Sequence, residues 1–366
     1  MEETRRLSVL QIVQGFPPEF VAGTELYCQA LTRALQDRGH RCFVLAGSNQ
    51  PAKAPALVTT EEEGIGVTRY MSPLSPFWRE WQIDPYNPEA ELLIRQYLET
   101  IRPDVVHVHH WLRLTNTVVA AAETLGIPTV VTLHDLWTSC VRIHRQHRLG
   151  YFCQDLPSPS LCLSCVERTP WQEDNAVRQA VAFRQEQIAV ELHLARALLV
   201  PSEPHRQLLS RLMSIPLDRL HVVPHGALTC LAPRSDNGHP RFPHRRLRLA
   251  YWGYLVRHKG VHLLLEAVRQ LRDPHAVEVY LAGLAPEAPY LEYLRGLAEG
   301  LDVTFAGEYQ PADLTRLDVD LAVFPSLAYE SYGFVLDEAL QLGLPAIVSD
   351  RGALGTRVGE AGLVFA

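Results

Sequence analysis

Two glutamates separated by seven residues, Glu330 and Glu338, are the most promising chemical groups in this sequence. An apolar run ends at Pro325-Ser326 just before them, which predicts a buried strand followed by a loop. The apolar spacing after Gly333 predicts a helix, and Gly343, with a proline two residues later, predicts where that helix ends. Glu330 is therefore expected in the loop and Glu338 inside the helix.

The beginning of this helix is a candidate anion site. Its N-terminus would present backbone N–H groups, which together with the helix dipole attract phosphate. A carboxylate beside phosphate needs a partner of its own, and sugar hydroxyls can donate two hydrogen bonds to one carboxylate. The backbone donors in question belong to Ser331, Tyr332, Gly333, Phe334 and Val335.

This stretch resembles the Glu-x7-Glu signature of retaining GT-B glycosyltransferases, especially family 4, including the Ala-Leu-x-x-Gly-x-Pro that follows the second glutamate. The resemblance implies that Glu338 binds the ribose hydroxyls of a nucleotide sugar, that Glu330 contacts the donor sugar and that the backbone between them meets the phosphates. It also implies a hexosyltransferase-type enzyme that retains anomeric configuration. Catalysis would need no metal or other cofactor, because the protein itself stabilises the departing negative charge.

A second segment, Gly253 to Gly260, resembles the family's Gly-x5-Lys-Gly loop. The resemblance implies that Gly253 and Lys259 contact the donor diphosphate, for which a lysine ammonium is a compact point charge. Taken alone, Lys259 would be interpreted as an exposed loop residue. Many members carry arginine after the first glycine, where this chain has Tyr254, and Arg257 is the candidate for supplying the missing charge.

The elements that must position these residues predict an α/β protein. A chain of 366 residues is expected to form two domains. Predicted strands and helices alternate through both halves, which is typical of doubly wound parallel sheets. The resemblance implies the GT-B fold, in which two Rossmann-like domains face a cleft. We expect an acceptor-side domain over residues 1–230, a linker over 229–246 and a nucleotide-sugar-binding domain over 245–366 that is truncated at its C-terminal end.

His134-Asp135 is the main candidate from the first half. It follows the predicted strand 128–133, and ligands bind open α/β sheets beyond the carboxyl ends of their strands. A similar Thr-x-His-Asp segment in the family implies that His134 contacts the sugar near the reacting carbon, so His134, Lys259 and Glu330 form the predicted catalytic set. An isolated histidine is more often structural, and His225 stands where family members commonly have asparagine.

Gly23 and Thr24 lie at the start of the first predicted helix, in a turn suited to close approach by the acceptor or a phosphate. Thr24 is expected to cap that helix. One residue of the family's usual pattern differs, since Ala22 precedes Gly23. A plain loop glycine is the alternative interpretation.

Four cysteines cluster in an insertion at about 140–170, spaced Cys-x12-Cys-x8-Cys-x2-Cys. A structural zinc site with four thiolates is one interpretation, and free thiols or a disulfide are the others. The cysteines are Cys140, Cys153, Cys162 and Cys165.

Composition excludes several classes of partner and location. A formal net charge of −7 gives no reason to expect nucleic acid binding. The sequence has neither a membrane-spanning apolar run nor a signal peptide, which predicts a cytoplasmic protein. Basic clusters at 142–148 and 241–248 are interpreted as solvated loops or as contacts with lipid head groups at the inner membrane face. Residues 51–90 are expected to be loops.

The leading hypothesis is therefore transfer of a sugar from a UDP-, GDP-, ADP- or dTDP-linked donor to a glycan or lipid-linked acceptor, in bacterial cell-surface polysaccharide biosynthesis. The alternative is a non-catalytic protein of the same fold that binds sugar or nucleotide, or an inactive fragment. The identities of the sugar, base and acceptor, and the oligomeric state, do not follow from these motifs.

Overall fold

The computed structural model describes residues 5–73, 86–166, 173–233 and 246–366. The chain divides into two compact units, Met1–His225 and Gly226–Ala366. Much of the predicted linker and residues 241–245 of the second basic cluster lie outside the described residues. No helix within the described ranges is long and apolar enough to cross a membrane.

The first unit is built on an eight-stranded sheet with the order β3-β4-β2-β1-β5-β6-β7-β8. All neighbouring strands are parallel except β3 and β4, which are antiparallel. The central strands are apolar on both faces, as expected for a parallel sheet covered by helices. The strands are β1 (Ser8–Val13), β2 (Arg41–Pro51), β3 (Ala56–Glu62), β4 (Ile65–Ser72), β5 (Val105–Val108), β6 (Thr129–Thr132), β7 (Ala197–Val200) and β8 (Leu220–Val222).

The helices of this unit begin at recognisable sequence signals. Asn87 caps the second helix through a 3.3 Å bond from the Ala90 N–H, with proline in its first turn. Ser202 caps the sixth by accepting from the His205 N–H over 3.3 Å. The helices are α1 (Gly23–Asp37), α2 (Pro88–Ile101), α3 (Val118–Thr124), α4 (Pro159–Cys162), α5 (Asp174–Leu194) and α6 (Glu203–Met213).

A buried carboxylate joins two of these helices. Glu191 on α5 is 1% exposed and accepts hydrogen bonds from the N–H groups of Val119 and Ala120 at the start of α3, at 2.7 and 2.8 Å. Trp111 Nε1 donates to it as well, over 2.8 Å. Burial raises the pKa of Glu191 to about 7 although these three donors lower it. Glu191 thus anchors α3 against α5.

The expectation of loops over residues 51–90 is wrong where β3 and β4 form a hairpin. Its two-residue turn, Glu63-Gly64, has φ values of 52° and 81°, the conformation that matches the twist of paired strands. Ile65 and Val67 are completely buried in the core, which the many prolines and the three glutamates of the segment obscured. Residues 74–85 of the segment lie outside the described part of the chain.

The second unit contains a six-stranded sheet with the order β11-β10-β9-β12-β13-β14, and every neighbouring pair is parallel. A doubly wound parallel sheet was predicted, and both units confirm the α/β class. The strands are β9 (Leu247–Trp252), β10 (Val277–Ala282), β11 (Asp302–Gly307), β12 (Leu321–Phe324), β13 (Ala346–Ser349) and β14 (Gly362–Phe365).

Helices of the second unit pack on a single apolar core that includes Trp252, Phe324 and Leu336. Gly343 follows the fourth of these helices with φ +69° and its N–H bonded to the Leu340 carbonyl, so the predicted helix end is confirmed. The helices are α7 (Val261–Arg269), α8 (Ala288–Ala298), α9 (Pro311–Leu314), α10 (Phe334–Gln341) and α11 (Ala353–Val358).

Candidate functional site

Lys259 and Glu330 meet beyond the carboxyl ends of β9 and β12. Lys259 Nζ lies 2.7 Å from Glu330 Oε1, and Ser326 Oγ donates to the same oxygen over 2.6 Å. The side chain of Glu330 is 14% exposed and that of Lys259 is 32% exposed. The ammonium and the hydroxyl replace the water that the carboxylate has lost, so both charges are held in a fixed place that solvent still reaches.

The loop that carries Lys259 approaches the neighbouring backbone very closely. Lys259 ends a short 3₁₀ turn, and Gly260 follows with φ +71°, a conformation that favours glycine. A Cβ atom on Gly260 would lie 1.9 Å from the Pro325 carbonyl oxygen, which leaves no room for a side chain. The Leu327 N–H also donates to the His258 carbonyl over 2.9 Å, so the two loops are joined. This packing explains why glycine must follow Lys259.

Glu330 is also fixed through its backbone. Its N–H donates to the Arg351 carbonyl over 3.0 Å, and its carbonyl accepts from the Ala353 N–H over 2.7 Å. The loop after β12 is thereby fastened to the loop after β13. The carboxylate projects from a backbone that is hydrogen-bonded on both sides.

Glu338 lies on α10 and is bonded to an indole at the end of β9. Trp252 Nε1 donates to Glu338 Oε2 over 2.8 Å, and Trp252 is completely buried. Burial raises the pKa of Glu338 to about 7, although the Trp252 N–H lowers it. The carboxyl group therefore exists in both protonation states near neutral pH. Trp252 was not predicted as part of the site.

Arg357 is a second residue that the sequence did not indicate. Its guanidinium lies 3.6 Å from the centre of the Tyr332 ring and donates to the carbonyls of Tyr332 and Gly333 at 2.8 and 3.3 Å. It also pairs with Asp337. Burial raises the pKa of Asp337, and Arg357 opposes this shift. Arg357 thus holds the turn that precedes α10.

The remaining predicted residues of the second unit surround this turn. Ser331 is half-buried and Tyr332 is buried, with its ring 5.2 Å from that of Phe334, the first residue of α10. Gly333 has φ +85°, and Val335 packs against the core. Helix α10 therefore begins where the sequence predicted.

The other members of the Gly-x5-Lys-Gly loop lie at the same edge of the sheet. Gly253 has φ +123° and donates its N–H to the Ala282 carbonyl over 3.1 Å. Tyr254 is 36% exposed, and its carbonyl accepts from Tyr251 Oη over 2.8 Å. Arg257 is exposed. That Arg257 supplies charge to the diphosphate stays a prediction.

In the first unit, His134 lies in a row of imidazoles. It is 6% exposed, with Nε2 2.9 Å from His109 Nδ1 and Nδ1 3.0 Å from His225 Nε2. Burial, and then the charges of neighbouring histidines, lower the pKa of His134 well below its usual value. Both ring nitrogens are thus engaged within the unit. The predicted contact of His134 with a sugar stays a prediction, and it would have to replace one of these bonds.

The residues next to His134 and at the start of α1 complete this edge of the first sheet. Asp135 Oδ2 lies 3.5 Å from His110 Nε2, and Asp135 Oδ1 accepts from a backbone N–H over 2.8 Å. Gly23 and Thr24 are half-buried at the start of α1. Thr24 does not cap the helix: the N-cap is Ala22, which has no side-chain acceptor. The prediction of a threonine cap was wrong because the helix begins two residues earlier than the sequence indicated.

The four cysteines of the insertion line one cavity but do not form a metal centre. Within the described ranges, no group of three or more His, Cys, Asp or Glu side chains is arranged to hold a metal ion, and all the cysteines are free thiols. Arg145 is 2% exposed in the wall of this cavity and donates to the carbonyls of Ser139 and Cys153 at 2.8 and 2.9 Å. The geometry of these cysteines therefore fits free thiols and gives no support to the zinc interpretation.

Comparison with known families identifies the chain. The model of Glycosyltransferase Family 4 matches residues 21–229, and that of Glycosyl transferases group 1 matches residues 246–366. The chain belongs to Glycosyltransferase Family 4. It is therefore a glycosyltransferase of the hexosyltransferase class, and the residues that the Glu-x7-Glu and Gly-x5-Lys-Gly resemblances indicated lie in the segment matched by the group 1 model.

Curated relatives of this glycosyltransferase share about a quarter of its sequence. It is 24% identical to a glycogen synthase of Mycobacterium tuberculosis, over 98% of this chain and 82% of the relative. It is 26% identical to an MMP alpha-(1->4)-mannosyltransferase of Mycolicibacterium hassiacum, over 93% of this chain and 80% of the relative. Both alignments extend across nearly the whole chain.

Solved structures support the GT-B fold. A sucrose-phosphate synthase from Thermosynechococcus elongatus superposes with a TM-score of 0.67 at 19% identity, covering 98% of this chain and 86% of that one. Anabaena HepE, solved in complex with UDP and glucose, superposes with a TM-score of 0.62 at 17% identity, covering 99% and 86%. The predicted GT-B fold class is confirmed.

Proposed function

We propose that this glycosyltransferase moves a hexose from a nucleoside-diphosphate sugar, with retention of anomeric configuration, to a glycan or lipid-linked sugar. One observation carries the proposal: the 2.7 Å pair of Lys259 and Glu330 beside the turn that opens α10. It places a cation, a carboxylate and a helix N-terminus in one unit, which are the groups that a sugar diphosphate needs. Glu338, from the same helix, supplies the carboxyl group for the ribose.

The Lys259–Glu330 pair suits a site that exchanges partners on binding. In the unliganded protein each charge compensates the other. A bound donor offers its diphosphate to Lys259 and its sugar hydroxyls to Glu330, so both groups keep a partner of the appropriate charge or polarity. Binding thus replaces one ion pair by two separate contacts and leaves no buried charge unpaired.

Transfer then consists of one exchange of bonds at the anomeric carbon. The bond from this carbon to the diphosphate oxygen breaks, the acceptor oxygen bonds to the same face, and the acceptor proton passes to the leaving phosphate. Negative charge grows on that phosphate, where Lys259 and the N-terminus of α10 are positioned to stabilise it. We propose that no metal cofactor is needed, which activity that persists after dialysis against a chelator would support.

A UDP-linked hexose is the first donor to test, because HepE was solved with UDP and glucose. The names of the relatives favour a polymer or glycolipid product: one relative is named glycogen synthase, and another, TuaC of Bacillus subtilis, is named for teichuronic acid biosynthesis. TuaC is 25% identical over 81% of this chain and 66% of its own length. We therefore propose a role in bacterial surface polysaccharide or glycolipid synthesis.

We propose a cytoplasmic location with peripheral contact at the inner membrane. The basic cluster at 142–148 supports this less than its composition suggested, because Arg145 is buried while Arg148 is exposed. The same insertion exposes Leu149 and Tyr151, at 74% and 51%, beside Arg148. Co-sedimentation with anionic vesicles that is reduced by Leu149→Ser would support the contact, and equal sedimentation of variant and wild type would contradict it.

The test of the proposed function is transfer itself. The protein is incubated with each of the UDP-, GDP-, ADP- and dTDP-linked hexoses and a mixture of glycan acceptors, and nucleotide release is measured together with the anomeric proton coupling of the product. Release with one donor and a product of unchanged configuration supports the proposal. An inverted product would refute retention. Nucleotide binding without release in the presence of any acceptor would favour a non-catalytic binding protein.

A further inference from the structure

Four side chains from separate segments of the first unit form one continuous hydrogen-bonded chain. Gln11 Oε1 on β1 lies 2.8 Å from His109 Nε2, His109 Nδ1 lies 2.9 Å from His134 Nε2, and His134 Nδ1 lies 3.0 Å from His225 Nε2. The first three members are 0%, 1% and 6% exposed, and His225 is half-buried. This chain of hydrogen bonds therefore runs from the core of the sheet to the carboxyl ends of its strands.

The amide at the buried end determines where the protons are. A carbonyl oxygen only accepts hydrogen bonds, so Gln11 Oε1 requires a proton on His109 Nε2. A neutral imidazole carries one proton, so His109 Nδ1 must accept and His134 Nε2 must donate. The same reasoning puts the next proton on His225 Nε2. Each histidine is then in the Nε2–H tautomer, with one direction of hydrogen bonding along the whole chain.

Neighbouring aromatic rings and burial keep these imidazoles uncharged. Tyr27 packs over His109, His134 and His225, with ring centres 5.8, 5.1 and 4.2 Å away. Burial, and then the neighbouring imidazoles, lower the pKa of His109 and His134 well below the usual value for histidine. A protonated ring in this row would face other imidazoles, which do not stabilise its charge.

Other titratable groups that face the row also belong to the first unit. The His107 ring lies 4.1 Å from that of His109 and is hydrogen-bonded to Thr132 instead of the chain, through a 2.7 Å contact. His110, which pairs with Asp135, lies near His134. These groups contribute to the charge around the row without being hydrogen-bonded to it.

We propose that Gln11 and His109 are positioning residues that hold His134 and His225 as neutral Nε2–H tautomers for contact with substrate hydroxyls. This rests on the proposed function and on the predicted contact of His134 with the sugar. Two neutral, oriented imidazoles select hydroxyl groups, because an uncharged ring can donate and accept a hydrogen bond. His225, which replaces the family's usual asparagine, is part of this device and not a neutral substitution.

The first test is independent of activity. In protein labelled with ¹⁵N-histidine, long-range proton–nitrogen correlation spectra report which ring nitrogen carries the proton. We expect a single Nε2–H tautomer for the three histidines of the chain in the wild type, assigned with His225→Asn. A mixture of tautomers, or Nδ1–H rings, in the wild type would overturn the proposal whether or not a donor has been identified.

The second test separates positioning from binding. Gln11→Leu removes the acceptor and is expected to lower kcat by about tenfold while leaving the donor Kd unchanged, since the nucleotide is bound by the second unit. Thr132→Val, which removes a buried hydroxyl bonded to His107, is the matched control and should leave kcat within about twofold. Equal kcat for Gln11→Leu and wild type, or an equal loss in Thr132→Val, would overturn the proposal.

Gln11→Glu provides a check from the pH profile. A carboxylate in place of the amide still accepts from His109 Nε2 but also stabilises a protonated imidazole. We expect the acid limb of the kcat profile to move to higher pH in this variant, with activity recovered at alkaline pH. An acid limb at the same pH in Gln11→Glu as in the wild type would contradict the proposal that residue 11 controls the protonation of the hydrogen-bonded histidines. A wild type that transfers no sugar would refute the proposed function, while the nitrogen spectra would still decide the tautomers.

Discussion

Trp252→Phe should change the pH at which this enzyme binds its donor. In the wild type the indole N–H donates to Glu338 over 2.8 Å, and the pKa of Glu338 is about 7 because burial outweighs this bond. Phenylalanine keeps an aromatic ring in the core and removes the donor. The charged form of Glu338 therefore loses stabilisation, and its pKa rises further.

The size of the shift follows from the worth of one hydrogen bond to a charged group. Such a bond contributes about 1.5–3 kcal/mol, which corresponds to about 1–2 pKa units at 1.36 kcal/mol each. A pKa that moves from about 7 to about 8–9 leaves roughly a tenth or less of Glu338 ionised at pH 7. If the ribose is bound by the carboxylate, donor affinity at pH 7 falls about fivefold to fiftyfold, and most of the loss disappears near pH 9.

Isothermal titration with the donor that binds, between about pH 6 and 9, measures this shift. A sugar nucleotide is preferable to the free diphosphate because its own phosphates do not titrate in this range. Phe324→Leu is the control: Phe324 packs against Trp252 with ring centres 5.1 Å apart, so it disturbs the same core and keeps the N–H donor. An unchanged midpoint in Trp252→Phe, or the same shift in Phe324→Leu, would refute this reasoning.

Three further changes have defined outcomes. Lys259→Ala should weaken donor binding by about tenfold to a hundredfold through loss of a charged contact, as measured by titration, and unchanged affinity would exclude Lys259 from the phosphate site. Gly260→Ala should lower the free energy of unfolding by about 2 kcal/mol or more, since its Cβ would lie 1.9 Å from a carbonyl oxygen. Gly296→Ala in α8, where a Cβ would meet open space, should raise the free energy of unfolding by about 0.5–1 kcal/mol. Chemical denaturation that ranks the two glycine variants in the opposite order would contradict the geometry. Glu191→Ala should lower the free energy of unfolding by about 3 kcal/mol in chemical denaturation, because three donors lose their acceptor. The control Val190→Ala, at a 47% exposed position on the same helix, should lower it by less than about 0.5 kcal/mol. Equal losses in the two variants would show that Glu191 is not an anchor.

The sequence predicted the strands of the second unit well because their apolar runs are short and end at turn residues. Leu247–Trp252, Val277–Ala282 and Leu321–Phe324 are strands of this kind. The Ala56–Glu62 and Ile65–Ser72 hairpin was missed, since the edge strand Ala56–Glu62 is largely exposed and polar, and Ile65–Ser72 buries Thr68 and Arg69 among its apolar residues. The apolar pattern therefore located the strands of the second unit and missed the hairpin at the edge of the first sheet.

The candidate site was predictable where a motif lies within one segment. Glu330 lies in the loop before α10 and Glu338 lies inside α10, as their spacing indicated. Trp252 and Arg357 were missed because their contacts depend on tertiary packing: the indole is 86 positions from Glu338, and the guanidinium is 25 positions from Tyr332. For His134 the sequence indicated its place at the strand end but not that both of its nitrogens would be bonded to other histidines.

Thermal unfolding in the presence of UDP-, GDP-, ADP- and dTDP-linked sugars tests the central claim most directly, because a ligand that binds only the native state stabilises it by about 2.7 kcal/mol at a hundredfold excess over Kd. We predict a rise in Tm with one nucleotide class that falls by about half or more in Glu338→Ala and Lys259→Ala. A Tm that no nucleotide sugar changes, or a rise that both variants retain in full, would contradict a donor site built on these two residues.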